Sequence, residues 1–315
     1  MEYRELGKTG LKVSRLCFGS LGLGPLQGNL PVAEGARLIR LALQKGVNFI
    51  DTAEYYRNYR YIREALAGFT GEVHLASKSY ASTGAEMEAS LKYALRELGV
   101  DRLSLFLLHE QESAHTLKGH RGALEQLVKA KTKGIIQAVG VSTHYVAGVR
   151  AAALTPEIDV IHPLINIAGI GIVDGTREEM LEAIAFARQM GKGIYGMKAL
   201  AGGHLHRQAE KALRWAFDLD LLDSVAVGMK STAEVEANIA LVNKEVRAAR
   251  LLAEAAGRQK RLLVEEWCQG CGACVARCPS KALVISGGRA TVDPTKCVLC
   301  GYCGPVCPEF ALKII

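Results

Sequence analysis

The sequence predicts an α/β fold: a (β/α)8 TIM barrel followed by a small α+β domain. Three observations predict it. Apolar strand-like runs alternate with helical patterns eight times over roughly 240 residues. The strand runs are continuously apolar, as expected where both faces of a parallel sheet are buried. The chain has 315 residues, and the remainder after the eighth repeat holds eight of its nine cysteines. An open doubly wound sheet alternates in the same way, but it carries a glycine fingerprint after its first strand. Gly19-Ser-Leu-Gly22-Leu-Gly24 does not fit G-x-G-x-x-G.

The elements follow in order. Residues 3–13 read as a hairpin around Gly7-Lys-Thr-Gly10. Strand 14–19, helix 31–45, strand 47–52, helix 58–68 and strand 73–78 come next. In helix 84–98, Met87, Leu91, Ala94, Leu95 and Leu98 share one face. Strand 103–109, helix 120–133, strand 136–141, helix 144–153, strand 158–165 and helix 176–190 continue the rhythm. Strand 193–199, helix 207–218, strand 224–228 and helix 232–243 close it. These place the barrel at 1–243, a basic helical linker at 244–263 and a cysteine-rich domain at 264–315. In that last domain Ala282–Ser286 and Ala290–Val292 form a hairpin around Gly287-Gly288, and a short strand runs from Ala311 to Ile315.

A hydrophobic fraction of 49% builds a sizeable core, and the net charge of +7 is modest for this length. The basic excess gathers at Lys244, Arg247, Arg250, Arg258, Lys260 and Arg261, where no aromatic residues alternate with it. A solvated helix face is therefore favoured over nucleic-acid binding. The first ten residues are charged and lack the apolar core of a signal peptide, and no apolar run is long enough to span a bilayer. With cysteine usage that suits a reducing compartment, a cytoplasmic location is expected. Cys17 sits in an apolar strand and reads as a core residue.

The cysteines form one pattern written twice. Cys268-x2-Cys271-x2-Cys274-x3-Cys278-Pro279 is followed by Cys297-x2-Cys300-x2-Cys303-x3-Cys307-Pro308. This is the spacing of bacterial ferredoxins, in which three close thiolates hold three corners of a cubane and the last cysteine ligates the other cluster. Cys268, Cys271, Cys274 and Cys307 are thus assigned to one [4Fe–4S] cluster, and Cys297, Cys300, Cys303 and Cys278 to a second. Zinc sites use paired knuckles rather than triplets with a distal Cys-Pro, and disulfides suit small secreted domains. Trp267 precedes the first ligand and is expected to cover that cluster.

Barrel enzymes carry their chemistry at the C-terminal ends of the strands. Those ends hold Asp51, Lys78 and His109, and Tyr56 follows Asp51 by five residues. A ketone that accepts hydride develops negative charge on oxygen and needs a proton. A free tyrosine, with a pKa of about 10, donates slowly near neutrality. An ammonium at Lys78 is expected to lower that pKa, Asp51 to hold the ammonium, and His109 to orient the carbonyl.

These residues stand in stretches that resemble an aldo-keto reductase: YRELGKTGLKVSRLCFG, FIDTAEYY, LASKS, LFLLHE and VGVS. YGMKALAGG and VAVGMKSTAEVEANI resemble the seventh and eighth strands of members with a C-terminal ferredoxin-like domain, so the resemblance covers essentially the whole chain. It implies Asp51, Tyr56, Lys78 and His109 as the catalytic tetrad, and NADP (or NAD) extended across the barrel mouth. It implies Ser20, Ser142, Asn166, Met197, Lys198, Gly228, Lys230 and Asn238 as cofactor contacts. Several positions depart from the family pattern. Thr143 replaces an Asn, His162 a Gln, and Met197 an aromatic ring that stacks on the nicotinamide. Glu234 stands where a neutral or basic residue often meets the adenosine end, with Lys230 as compensation.

Three functions are weighed on the sequence, and the first is favoured. The first is NAD(P)-dependent interconversion of a small carbonyl and its alcohol, with the clusters docking a redox protein. The second is an electron-transfer protein whose barrel is a docking or regulatory module. In the third the clusters are structural, driving the folding of a domain too small for its own core. Hydride transfer moves two electrons and each cluster moves one, so coupling them requires a converter such as a flavin, for which no residue argues specifically. His204-x-His206 offers too few ligands for zinc.

Overall fold

The computed structural model describes residues 1–256 and 260–315. Strands β1 (Tyr3–Glu5) and β2 (Lys12–Ser14) form the expected N-terminal hairpin. Eight parallel strands then close a barrel: β3 (Leu16–Gly19), β4 (Phe49–Asp51), β5 (His74–Ser79), β6 (Leu103–Leu108), β7 (Ile136–Thr143), β8 (Val160–Pro163), β9 (Gly193–Gly196) and β10 (Ser224–Gly228). β10 pairs with both β3 and β9, which completes the ring. Around it lie α1 (Val32–Gln44), α2 (Tyr59–Leu66), α3 (Gly84–Leu98), α4 (Ala114–Gly119), α5 (Arg121–Thr132), α6 (Val146–Leu154), α7 (Arg177–Gln189), α8 (Ala209–Asp218) and α9 (Thr232–Val242). Helix α4 was not expected from the sequence. It is one short turn started by the Ser113–Thr116 capping box, too brief for a periodic apolar face.

The strand alternation sorts side chains into two layers. Leu16, Phe18, Ile50, Phe106 and Leu108 face outward into the core shared with the helices. Cys17, Phe49, Ala76, Leu105, Leu107, Val160 and Tyr195 face inward and fill the barrel. Cys17 is thus the core residue that its apolar neighbours suggested. The hairpin β1–β2 closes the floor, adding Leu6, Leu11 and Val13 to the inner cluster. Gly7 lets it approach: its φ is +57°, and a Cβ there would lie 2.2 Å from the Gly193 nitrogen.

The region read as a basic linker helix is more varied than expected. Helix α10 (Ala248–Ala256) packs on α9, and Ala248 and Leu251 join the core of the barrel. Arg258 lies outside the described residues. Leu262–Val264 is a strand, β11, rather than helix. It pairs antiparallel with β14 (Leu312–Ile314), and this two-stranded sheet carries the cysteine-rich domain. That domain adds α11 (Ala273–Arg277) and the expected hairpin β12 (Leu283–Ser286) with β13 (Arg289–Val292). Among the described residues no helix is long and apolar enough to cross a membrane.

The cysteine-rich domain sits on the mouth of the barrel. His204 Nε2 lies 2.8 Å from the Leu312 oxygen, and Arg207 donates to the Val298 oxygen at 2.8 Å. Gly203, at φ +89°, lies so close to β14 that a Cβ would meet the Ile314 oxygen at 1.8 Å. Phe310, 2% exposed, packs with Leu164 and Met197 above the ends of β8 and β9.

Candidate active site

Strand parity delivers the site. Asp51 follows the inward Phe49 by two residues, Lys78 follows Ala76, and His109 follows Leu107. All three therefore turn into the barrel at its C-terminal end. Lys78, with none of its surface exposed, donates to both Asp51 oxygens at 2.7 Å and to the Thr52 oxygen at 2.8 Å. The ammonium uses all three donors, so the buried pair is fully satisfied. Tyr56 comes from the short 3-10 turn Glu54–Tyr56 after β4. Its ring centroid lies 5.1 Å from Lys78 Nζ and 5.9 Å from the His109 ring.

The electrostatics differ from the expectation in one respect. Burial, then Asp51 and Glu110, pushes the Tyr56 phenol well above its ordinary value. Lys78 was expected to lower it, but its charge is matched by the two Asp51 oxygens it touches. Tyr56 is therefore held as the protonated phenol. Burial and the Lys78 ammonium push His109 well below the ordinary histidine value, so its imidazole is neutral. His109 Nδ1 is buried with no hydrogen-bond partner among the described residues.

Further residues belong to this cluster. The Tyr195 hydroxyl donates to Asp51 Oδ2 at 3.0 Å. His162 stacks on the Tyr195 ring at 3.8 Å, and its Nδ1 lies 2.6 Å from the Tyr195 oxygen. Burial lowers His162 to about 4. Tyr80 stacks on His109 at 4.3 Å and donates to Glu110 at 2.6 Å. Tyr80 was legible as the second residue after Lys78 on the same side of the strand. Tyr195 was not, because a lone tyrosine in an apolar strand reads as core.

A cavity of about 260 Å³ runs from Asp51, Tyr56 and His162 past Met197 and Lys198 to Gly228, Lys230, Glu234 and Asn238. Lys313 and Ile314 of the cysteine-rich domain roof it. Of the contacts implied for a nucleotide, Met197, Lys198, Gly228, Lys230 and Asn238 therefore share one space. Ser20, Ser142 and Asn166 do not line it. The Ser20 hydroxyl accepts from Asn58 at 3.1 Å, the Ser142 hydroxyl accepts the Glu110 N–H at 2.9 Å, and the Asn166 amide bonds Ile170 and Ala168 within its own loop. Among the described residues the buried Asn238 Oδ1 has no hydrogen-bond partner, an acceptor suited to a ligand N–H. Glu234 accepts the Lys230 backbone N–H at 2.6 Å, which fixes the carboxylate at that end of the cavity.

The Aldo/keto reductase family matches residues 15–212, spanning seven of the eight barrel strands. This chain belongs to the aldo/keto reductase family. The 4Fe-4S dicluster domain matches residues 265–311. L-galactose dehydrogenase of Arabidopsis thaliana is 23% identical over 78% of this chain and 89% of its own length. Methylglyoxal reductase DkgA of Yersinia pestis is 26% identical over 64% of this chain and 76% of its own. The holo form of aldo-keto reductase AKR11C1 from Bacillus halodurans superposes with a TM-score of 0.67 at 22% identity, covering 81% of this chain and 96% of that one, and shares the fold. The protein is an oxidoreductase of this family, and the family fold implies NAD(P).

The cysteines of the dicluster domain line two cavities. One cavity is lined by Cys268, Cys271, Cys274 and Cys307, and another by Cys278, Cys297, Cys300 and Cys303. All eight are free thiols. Backbone N–H groups of Ala290, Ala311 and Ala282 donate to the sulfurs of Cys268, Cys307 and Cys278 at 3.2–3.4 Å, the kind of contact that tunes a cluster's potential. Eight thiols in two sets of four fit two cubane clusters. Trp267 is 40% exposed and donates from its indole to the Glu309 oxygen at 3.1 Å.

Proposed function

We propose that the barrel reduces an aldehyde or ketone to its alcohol, or runs the reverse, with NADPH or NADH. The observation that carries this reading is the meeting of Asp51, Tyr56, Lys78 and His109, with Asp51 and Tyr56 lining a cavity that continues past Met197 and Lys198 to Gly228 and Asn238. The nicotinamide cofactor, when bound, supplies the hydride. Tyr56 gives the proton to the carbonyl oxygen. Neutral His109 donates a hydrogen bond to the same oxygen, fixing the carbonyl against the phenol. Lys78, held by Asp51, keeps a positive charge beneath the phenolate that forms. Tyr195 steadies Asp51 from the far side.

Met197, Lys198, Gly228, Lys230 and Asn238 form the nucleotide path in this reading, with Asn238 at the adenosine end. Glu234 opposes a 2′-phosphate there, while Lys230 and Lys260 favour one. In the dicluster domain Cys268, Cys271, Cys274 and Cys307 hold one [4Fe–4S] cluster and Cys278, Cys297, Cys300 and Cys303 the other. The clusters supply single electrons and call for a reducing compartment. Val298 and Tyr302, beside the second set of cysteines, are exposed and offer a face for a redox protein.

The test is anaerobic, with both clusters reconstituted. NADPH oxidation that depends on an added aldehyde supports the reading. Tyr56→Phe should lower turnover by about 10²–10⁴ while nucleotide binding persists. Unchanged turnover in that variant would remove Tyr56 from its role. Cluster bleaching near ~400 nm by NADPH alone, a wavelength typical of thiolate-bound iron–sulfur centres, would instead favour the electron-transfer reading. The contact of Phe310, three residues after Cys307, with Met197 is the observation behind that alternative.

A further inference from the structure

The roof of the cavity carries an unusual charge. Lys313 belongs to the dicluster domain, yet it is 2% exposed and faces the barrel. Its Nζ donates to the Phe310 oxygen and lies 3.1 Å from the centroid of the Phe310 ring. Lys198, from the barrel, approaches the same ring, with its Nζ 5.9 Å from the centroid. Two ammoniums from two domains thus meet at one aromatic side chain. Among the described residues neither forms an ion pair with a carboxylate. Glu265 and Glu110 are the carboxylates that act on both from farther away. Glu110 already accepts the Tyr80 hydroxyl at 2.6 Å.

Burying an ammonium without a counter-charge is costly, and burying two together is more so. Burial, followed by Lys198, pushes Lys313 well below the ordinary lysine value. An anion placed between them would reverse both effects. The cavity wall agrees. Its ammonium side chains are Lys198, Lys230, Lys260 and Lys313, and its two acidic side chains are engaged: Asp51 with Lys78, Glu234 with the Lys230 backbone. Lys198 is also held in a left-handed conformation, φ +61°, at the turn after β9, a backbone state that lysine rarely adopts.

We propose that Lys198 and Lys313 form an oxyanion-binding subsite across the domain seam, open to the same cavity as Tyr56. It takes a phosphate or carboxylate group, carried either by the nucleotide or by the carbonyl substrate. The substrate arm rests on the reductase reading; the nucleotide arm does not. The dicluster domain then completes the ligand site of the barrel instead of merely adjoining it.

The experiment uses the full chain with both clusters reconstituted, as wild type, Lys313→Met and Lys313→Arg. Two quantities are read: the Kd of NADPH and of NADH by nucleotide fluorescence, and the KM of phenylglyoxylate against that of its neutral methyl ester. Cluster absorbance and thermal midpoint report folding. Lys313→Met should weaken the oxyanion ligand about ten- to hundredfold, and Lys313→Arg should recover most of it. Equal loss for NADPH and NADH identifies the diphosphate. Loss confined to NADPH identifies the 2′-phosphate. A KM raised for the acid but not the ester, with nucleotide binding intact, identifies a substrate carboxylate. Should Lys313→Met lose its clusters, Lys198→Met reads the same quantities from the barrel side. If wild type turns over no carbonyl, the reductase reading falls while the nucleotide Kd still decides. Unchanged nucleotide affinity together with no acid-selective change overturns the subsite.

Discussion

At the scale of single residues, the site is organised around which protons stay in place. Tyr56 is held protonated and His109 neutral by the same burial. The raised phenol keeps its proton below its folded-state pKa and loses it only as pH rises through that value. Carbonyl reduction should therefore be flat from about pH 6 to 9 and decline only above the ordinary tyrosine range of about 10. A limb near neutrality in kcat/KM would assign proton donation elsewhere. Glu110 is one of the carboxylates that raise the phenol. Glu110→Gln should thus move the alkaline limb to lower pH, read from the same profile. A shift to higher pH would contradict the sign. Tyr195, Tyr80 and His162 show how a site extends past its reacting groups: Tyr195 reaches Asp51 with its hydroxyl, Tyr80 stacks on His109, and His162 brings its Nε2 to 3.8 Å from Asp51.

At the scale of elements, period-two alternation along β4, β5 and β6 carries Asp51, Lys78 and His109 inward, each two residues past a filler of the barrel. The turn after β9 does different work. Ala201, Gly202 and Gly203 all have positive φ, and the turn lies directly under β14. Gly203→Ala would place a Cβ 1.8 Å from the Ile314 oxygen at a φ of +89°. The strand must lift, at a cost of about 2–3 kcal/mol. Hydrogen exchange at Leu312–Ile314 should quicken while the strands of the barrel stay protected. Unchanged protection at β14 would mean that the turn yields instead.

At the scale of the whole molecule, the dicluster domain is small and has only a satellite core of its own, built from Leu262, Leu283, Ala290, Leu312 and Ile314 with the cysteines. A domain of this size is expected to draw folding stability from bound metal. Chelating the iron should melt residues 262–315 in a separate, earlier transition and leave the barrel folded, as followed by circular dichroism. Because β14 and Lys313 roof the cavity, nucleotide affinity should fall in step with cluster loss. One cooperative transition for the whole chain would show instead that barrel and cap fold as a unit.

The sequence by itself determined the barrel, the cluster spacing and the inward set Asp51, Lys78 and His109. Each depends on a short-range rule: continuous apolar strands, fixed ligand intervals, and side chains that alternate along a strand. It also marked Tyr56, Lys198, Lys230 and Asn238. It misjudged the linker, since Leu262–Val264 becomes a strand only because Leu312–Ile314, some fifty residues later, offers it a partner. It gave no sign that Ser142 spends its hydroxyl on the loop after β6, or Asn166 its amide within its own loop. Phe310 and Lys313 were invisible for the same reason. Nothing within the local run of residues 307–315 says that it will lie against Met197 and Lys198. Only the docking of one domain on the other brings an aromatic ring and a second ammonium to the barrel mouth, because contacts between distant segments leave no period in the sequence.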